Sequence, residues 1–141
     1  MTLRSMKETE YNLIADDPVR PHIPVAERFG NGRNVVVLEE AGKVVAVVCT
    51  ALTNRVPTTE QEMKEFASTT GPTLVAYTVW SYSKGSGRKI INLLRDSAVD
   101  EHCDRLVTLS PLTEMAERFH LSNGATFLGK FETCQNFEYE L

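Results

Sequence analysis

Hydrophobic positions in this 141-residue chain fall into short β-branched runs separated by stretches of helical period. The two periods separate strand from amphipathic helix, because successive strand residues point to opposite faces while helix residues three and four apart share one. After a short strand at Thr2 to Ser5, the stretch DDPVRPHIPVAERFGNGRN carries Pro18, Pro21, Pro24, Gly30 and Gly32 and predicts irregular structure without regular helix. NVVVLEE and KVVAVVCTAL are β-branched runs joined by Ala41-Gly42, the pattern of a tight antiparallel hairpin with both strands well buried. Pro57-Thr58-Thr59-Glu60 then offers cap hydroxyls and a first-turn acid to a helix running from Gln61 to Ala67, and Gly71-Pro72 ends it.

Thr73 to Ser81 (TLVAYTVWS) predicts a strand that runs through Lys84-Gly85-Ser86-Gly87-Arg88 into a helix beginning near Lys89, with Ile90, Ile91, Leu94 and Val99 as its apolar stripe. Arg105 to Leu109 (RLVTL) is a further strand. Ser110-Pro111 follows as a helix start, serine capping and proline at the first helical position, with Leu112, Met115, Ala116 and Phe119 at helical spacing. Asn123-Gly124 stops that helix, and strands at Ala125 to Leu128 and Glu132 to Tyr139 close the chain. This order predicts one α/β (α+β) domain over residues 1–141, with a mixed sheet of about six or seven strands flanked by helices.

Composition narrows the partners. Nineteen acids against fifteen bases give a net charge of −4, and the bases are scattered, so nucleic acid is not an expected partner. The longest apolar run, Val44 to Cys49, is far short of the ~18 residues of a membrane span, and MTLRSMKETEYN lacks a signal-peptide core. Cys49, Cys103 and Cys134 form no C-x-x-C pair, giving neither a zinc ligand set nor an even disulfide framework. A cytoplasmic protein with no membrane partner and no metal is the expectation, and a homo-oligomer is left open.

A strand delivering a two-glycine turn into a helix start makes an anion site, because free N–H groups and the positive end of the helix dipole converge there. Lys84, Gly85, Ser86, Gly87 and Arg88 are the candidate ligand-binding residues, and a pyrophosphate is the expected ligand. The turn matches neither G-x-x-x-x-G-K-S/T nor G-x-G-x-x-G, since Asn92 stands at the third glycine of the latter. A solvated turn kept soluble by its basic residues is the alternative.

A hairpin, a central strand, a short G-x-G turn and a long helix resemble the acetyltransferase fold of the GNAT superfamily, in which this turn holds the pyrophosphate of coenzyme A. The resemblance implies that the strands ending at Ser81 and Leu109 lie side by side and splay to admit a pantetheine arm. Thr113, Ala116, Phe119, His120 and Gly124 keep the spacing of that superfamily's next helix, and His120 stands at its general-acid tyrosine. Val107-Thr108-Leu109-Ser110-Pro111-Leu112 and Phe119-His120-Leu121-Ser122-Asn123-Gly124-Ala125 are similar to the T-L-S-P-I and F-H-L-x-N-G-A motifs of malonyl-CoA decarboxylase, whose catalytic domain has the same fold. That resemblance implies Ser110 and His120 as catalytic residues.

It also implies conversion of malonyl-CoA, or a similar β-carboxy acyl-CoA, to acetyl-CoA and carbon dioxide, with no cofactor beyond the CoA thioester. Loss of carbon dioxide leaves an enolate that needs hydrogen-bond donors and then a proton, tasks suited to a serine and to a histidine titrating near neutral pH. The alternatives are a GNAT N-acetyltransferase using acetyl-CoA and an amine, or a non-catalytic CoA-binding module. Ser110 also has a purely structural reading as a helix cap, and ten residues of straight helix would hold it about 15 Å from His120. His22 lacks a supporting motif, and His102 reads as a solvated helix end.

Overall fold

The strands form where the β-branched runs predict them. In the computed structural model, which describes residues 1–141, β1 (Thr2–Ser5), β2 (Arg33–Glu40), β3 (Lys43–Thr53) and β4 (Thr73–Ser81) pair antiparallel in succession. β4 is parallel to β5 (Arg105–Thr108). β8 (Cys134–Tyr139) runs antiparallel to β5, to the two-residue β6 (Ser110–Pro111) and to β7 (Thr126–Lys130). The eight-stranded sheet therefore follows the order β1-β2-β3-β4-β5-β8-β6, with β7 on β8. Ala41 and Gly42, at φ of 51° and 77°, turn the β2–β3 hairpin in the left-handed conformation that matches strand twist.

Each face of the sheet buries its own apolar layer. α2 (Ser86–Asp100) sets Ile90, Ile91, Leu94 and Ala98 against Leu38, Val48, Leu74, Leu106 and Phe137. Val99 lies outside the stripe that the sequence assigns it to and is exposed, Ala98 taking the inner place. On the opposite face Ile14, Ile23 and Met63 cover Val37, Val47, Val75 and Val107. Ile14 comes from the 3₁₀ helix at Glu8–Asp16, Ile23 from the turn before a second 3₁₀ helix at Val25–Arg28, and Met63 from α1 (Glu60–Glu65), which Thr59 caps by accepting the Glu62 amide at 2.9 Å.

One element is added and two local expectations are corrected. The Glu8–Asp16 3₁₀ helix has no counterpart in the periodicity; Glu10 closes its first turn on the Lys7 amide and pairs with Arg4 at 2.8 Å. α2 begins at Ser86, not near Lys89, because Gly85 adopts φ +83° and serves as its N-cap. Ser110-Pro111 is a strand and not a helix start: α3 (Glu114–Ser122) begins later, and its cap is Thr113, which accepts the Ala116 amide at 3.2 Å.

The proline-rich stretch is held by a fully buried ion pair. Arg28 Nη1 donates to Asp17 Oδ2 at 2.7 Å, and both side chains are wholly excluded from solvent. The other Asp17 oxygen accepts the amides of Val19 and Arg20, while Arg28 donates to the carbonyls of Ile23 and Arg20. Two ionised groups thus substitute for the ladder that prolines deny this segment. Asp17→Asn should destabilise the fold by roughly 3–5 kcal/mol in urea unfolding, because it leaves the buried guanidinium without its counter-charge.

Candidate active site

The site begins with one residue too many in β4. β3 pairs Cys49 with Thr78 and Thr50 with Ala76, so Tyr77 is an unpaired extra residue, and such a bulge bends a strand and sharpens its twist. Pairing with β5 covers only Thr73–Ala76 against Arg105–Thr108, with the Leu109 amide still donating to Ala76 at 3.1 Å. Beyond that point β6 leaves for β8, and Tyr77–Ser81 have no strand beside them on that side. The Tyr77 carbonyl is taken by the Arg20 guanidinium.

A cleft of about 660 Å³ opens where the strands part. β4 lines it from Ala76 to Ser81, β6 supplies Ser110 and Pro111, and α3 supplies Met115, Ala116, Phe119 and His120. Met115 and Phe119 therefore wall a cleft instead of filling a core, and Met115 is largely exposed. Pro18 and Val19 close the remaining side. Trp80 Nε1 donates to Tyr82 Oη at 3.0 Å, and Tyr82 donates to Asp16 at 2.7 Å, which ties the aromatic wall to the N-terminal segment.

At one end of the cleft stands the start of α2. The Gly87 and Arg88 amides donate to nothing within the chain, as first-turn amides must unless a ligand or water takes them. Lys84 and Arg88 are exposed, whereas Lys89 is neutralised by Glu40 at 3.1 Å. Ser86 is buried and bonded to Ser83, and only Gly87 of the predicted group lines the cleft itself. A Cβ on Gly87 would meet Phe119 Cε1 at 3.1 Å, so α2 and α3 touch here because this residue is glycine.

Ser110 and His120 line the same cleft from different elements, β6 and α3, so no continuous helix runs between them. Ser110 is buried in β6 with its Oγ 2.8 Å from Thr108 Oγ1, which accepts the Phe137 amide. His120 stacks on Phe137 with ring centroids 5.3 Å apart, and its Nδ1 lies 2.7 Å from Tyr139 Oη. Burial among these rings pushes the imidazole down to about 4, so it is uncharged at neutral pH. His22 is engaged elsewhere, with Glu60 at 2.8 Å.

No family model matches the sequence, and no curated protein matches it. Solved structures do. An acetyltransferase of the GNAT family from Listeria monocytogenes superposes with a TM-score of 0.72 at 13% identity, covering 99% of this chain and 94% of that one. The fold is that of the GNAT acetyltransferases. A ribosomal-protein-alanine N-acetyltransferase from Brucella melitensis gives 0.65 at 14% identity over 100% of both chains. A Bacillus subtilis acetyltransferase in complex with CoA gives 0.64 at 11%, covering 97% and 93%. Nothing in these comparisons points to malonyl-CoA decarboxylase. No helix is long and apolar enough to cross a membrane.

Val19 lines this cleft, and Arg20, Thr108 and Tyr139 bond to residues that do. No sequence motif gives any of the four a role. Arg20 and Tyr139 act across 57 and 19 residues of chain respectively, and local pattern carries no sign of either contact.

Gly87→Val should destabilise the fold by roughly 1–3 kcal/mol in urea unfolding, because the added carbons crowd Phe119 across the α2–α3 contact. Gly85→Ala faces open space and should instead cost about 1 kcal/mol of stability through its left-handed backbone alone. The histidine gives a pH prediction. Its folded-state value lies below its ordinary 6.5, so the unfolded chain binds the proton first as pH falls. Its contribution to stability is therefore complete above about 6.5 and is lost between there and about 4, at roughly 1.4 kcal/mol per pH unit. The fall of the urea midpoint across that window should be shallower in His120→Gln.

Proposed function

We propose that the chain is an acyltransferase that takes its acyl group from acetyl-CoA or a related acyl-CoA. The observation carrying this reading is the gap between β4 and β5, closed at one end by the free amides of the α2 start. The pyrophosphate sits at Lys84 to Arg88, where Gly87 and Arg88 offer amides and Lys84 and Arg88 offer charge. The pantetheine arm lies along Tyr77 to Ser81, whose backbone has no strand beside it. The thioester then reaches the part of the cleft lined by Ser110 and His120.

Transfer needs a nucleophile to attack the thioester carbon, the C–S bond to break, and the proton shed by the nucleophile to reach the departing thiolate. His120 serves as a neutral donor in the tautomer that carries its proton on Nε2, with Nδ1 accepting from the Tyr139 hydroxyl 2.7 Å away. A donor fixed by packing stabilises charge that develops on oxygen or sulfur without reorganising during the reaction. Ser110 is a second donor, its hydroxyl positioned by Thr108.

A second reading, decarboxylation of malonyl-CoA, is favoured by the two motif resemblances and by a cleft whose lining includes no carboxylate to deprotonate an amine. There the C–C bond to the carboxylate breaks, carbon dioxide leaves, and the same two donors hold the enolate oxygen until its carbon is protonated.

The decisive assay runs both reactions on one preparation. Acetyl-CoA with a panel of nucleophiles should release free CoA thiol, and malonyl-CoA alone should stay intact. Carbon dioxide and acetyl-CoA from malonyl-CoA alone would install the decarboxylase reading instead. Calorimetric binding of CoA with neither turnover would leave a binding module. His120→Ala should lower turnover by roughly 10²–10³ with acetyl-CoA affinity nearly unchanged, since its hydrogen bond matters most in the transition state.

A further inference from the structure

The bulge in β4 re-aims one side chain. Leu74 and Ala76 pack in the layer under α2, and Val75 and Tyr77 in the layer under the N-terminal segment, as a regular strand alternates. Thr78 breaks the alternation. It stands opposite Cys49, a member of the N-terminal layer, so its side chain leaves the sheet on the same face as Tyr77 before it. Val79 then resumes on the α2 side. Without the extra residue, this hydroxyl would point toward α2.

Thr78 lines the cleft, is 3% exposed, and its Oγ1 has no hydrogen-bond partner in the chain. The groups around it are engaged elsewhere: Cys49 Sγ receives Arg28 at 3.4 Å, the Tyr77 carbonyl receives Arg20, and the Ala76 carbonyl receives the Leu109 amide. Six buried side-chain atoms lack a partner, and only Thr78 Oγ1 and Tyr77 Oη belong to residues of the cleft. Tyr77 carries the Arg33 guanidinium 5.3 Å from its ring centroid, and Arg33 is no part of the cleft. An unbonded buried hydroxyl is a standing cost that valine, of the same shape, would not carry. His120 stacks on Phe137, which belongs to the α2 layer, so the imidazole meets the cleft from the opposite side to Thr78.

A thioester seated between the parted strands has the imidazole on one side and the Thr78 hydroxyl on the other. We infer that Thr78 is a further catalytic residue, its hydroxyl donating to the carbonyl oxygen of the thioester. This rests on the acyl-transfer reading above. As the nucleophile attacks the acyl carbon, the carbonyl π pair moves onto oxygen, and the hydrogen bond from Thr78 strengthens with the growing charge. When the carbonyl forms again, the C–S bond breaks and the proton shed by the nucleophile reaches the thiolate. Thr78 keeps its own proton throughout.

Thr78→Val and Thr78→Ser separate the hydroxyl from the methyl. Thr78→Val should lower kcat for thiol release from acetyl-CoA, with water or an amine as nucleophile, by about 10²-fold, the usual effect of removing one such donor. Its acetyl-CoA affinity by calorimetry should stay within about 2-fold of the parent, and its urea midpoint should be unchanged or higher, because no bond within the chain is lost. Thr78→Ser, which returns the hydroxyl and gives up buried carbon, should recover most of the lost turnover and lower the midpoint. Turnover thus follows the hydroxyl and stability follows the methyl. Parental kcat in Thr78→Val overturns the inference while leaving acyl transfer standing, and so does a lowered midpoint in Thr78→Val, which would give the hydroxyl a structural partner. A parent protein that binds acetyl-CoA by calorimetry yet releases thiol to neither water nor amine overturns the acyl-transfer reading and this inference with it.

Discussion

A surplus residue in a central strand organises this molecule. Tyr77 has no partner in β3, and the strand that accompanies β4 on its other side departs immediately afterwards. A buried backbone carbonyl needs a partner, and the Arg20 guanidinium provides it. Arg20 in turn belongs to the segment fastened by Asp17 and Arg28. One irregularity therefore accounts for an opening in an otherwise continuous sheet and for the buried charges in the N-terminal segment. Without the bulge, β4 and β5 would have less reason to part. Without the arginine, the parted strands would leave polar backbone exposed to an apolar interior.

The parts of the fold that follow from local chemistry were legible. β2, β3 and β4 are dense in β-branched residues, and the Ala41-Gly42 turn and Thr59 cap lie where residue type alone puts them. Ser110-Pro111 misled for a physical reason: a capping hydroxyl followed by proline is equally suited to a helix start and to an edge strand, where proline needs no ladder donor. What decides is remote. Gln135 of β8 donates to the carbonyls of Pro111 and Thr113 and holds the segment extended. The α2 boundary shifted because Gly85 supplies a left-handed cap, which lets the helix begin on residues of poor helical propensity.

The residues that the motifs single out gather at one cleft, and their setting there was not readable. The turn at Lys84 to Arg88 and the pair Ser110 and His120 border or line one cleft. The environment of His120 was not readable, because its neighbours Phe137 and Tyr139 arrive from the last strand. Those neighbours change its chemistry from a group titrating near neutrality to one that stays uncharged. The absence of charge from the cleft lining is likewise a property of the assembled walls and of no single segment.

Phe119 and His120 are adjacent on α3, and Phe119 rests on Gly87 at the start of α2. A molecule seated at the start of α2 would meet the same helical turn that carries the imidazole. Any coupling of its occupancy to protonation of the ring is reciprocal. If ligand binding shifts the proton affinity of His120, proton concentration shifts the ligand's affinity by the same factor, transmitted through the contact between one phenyl ring and one glycine.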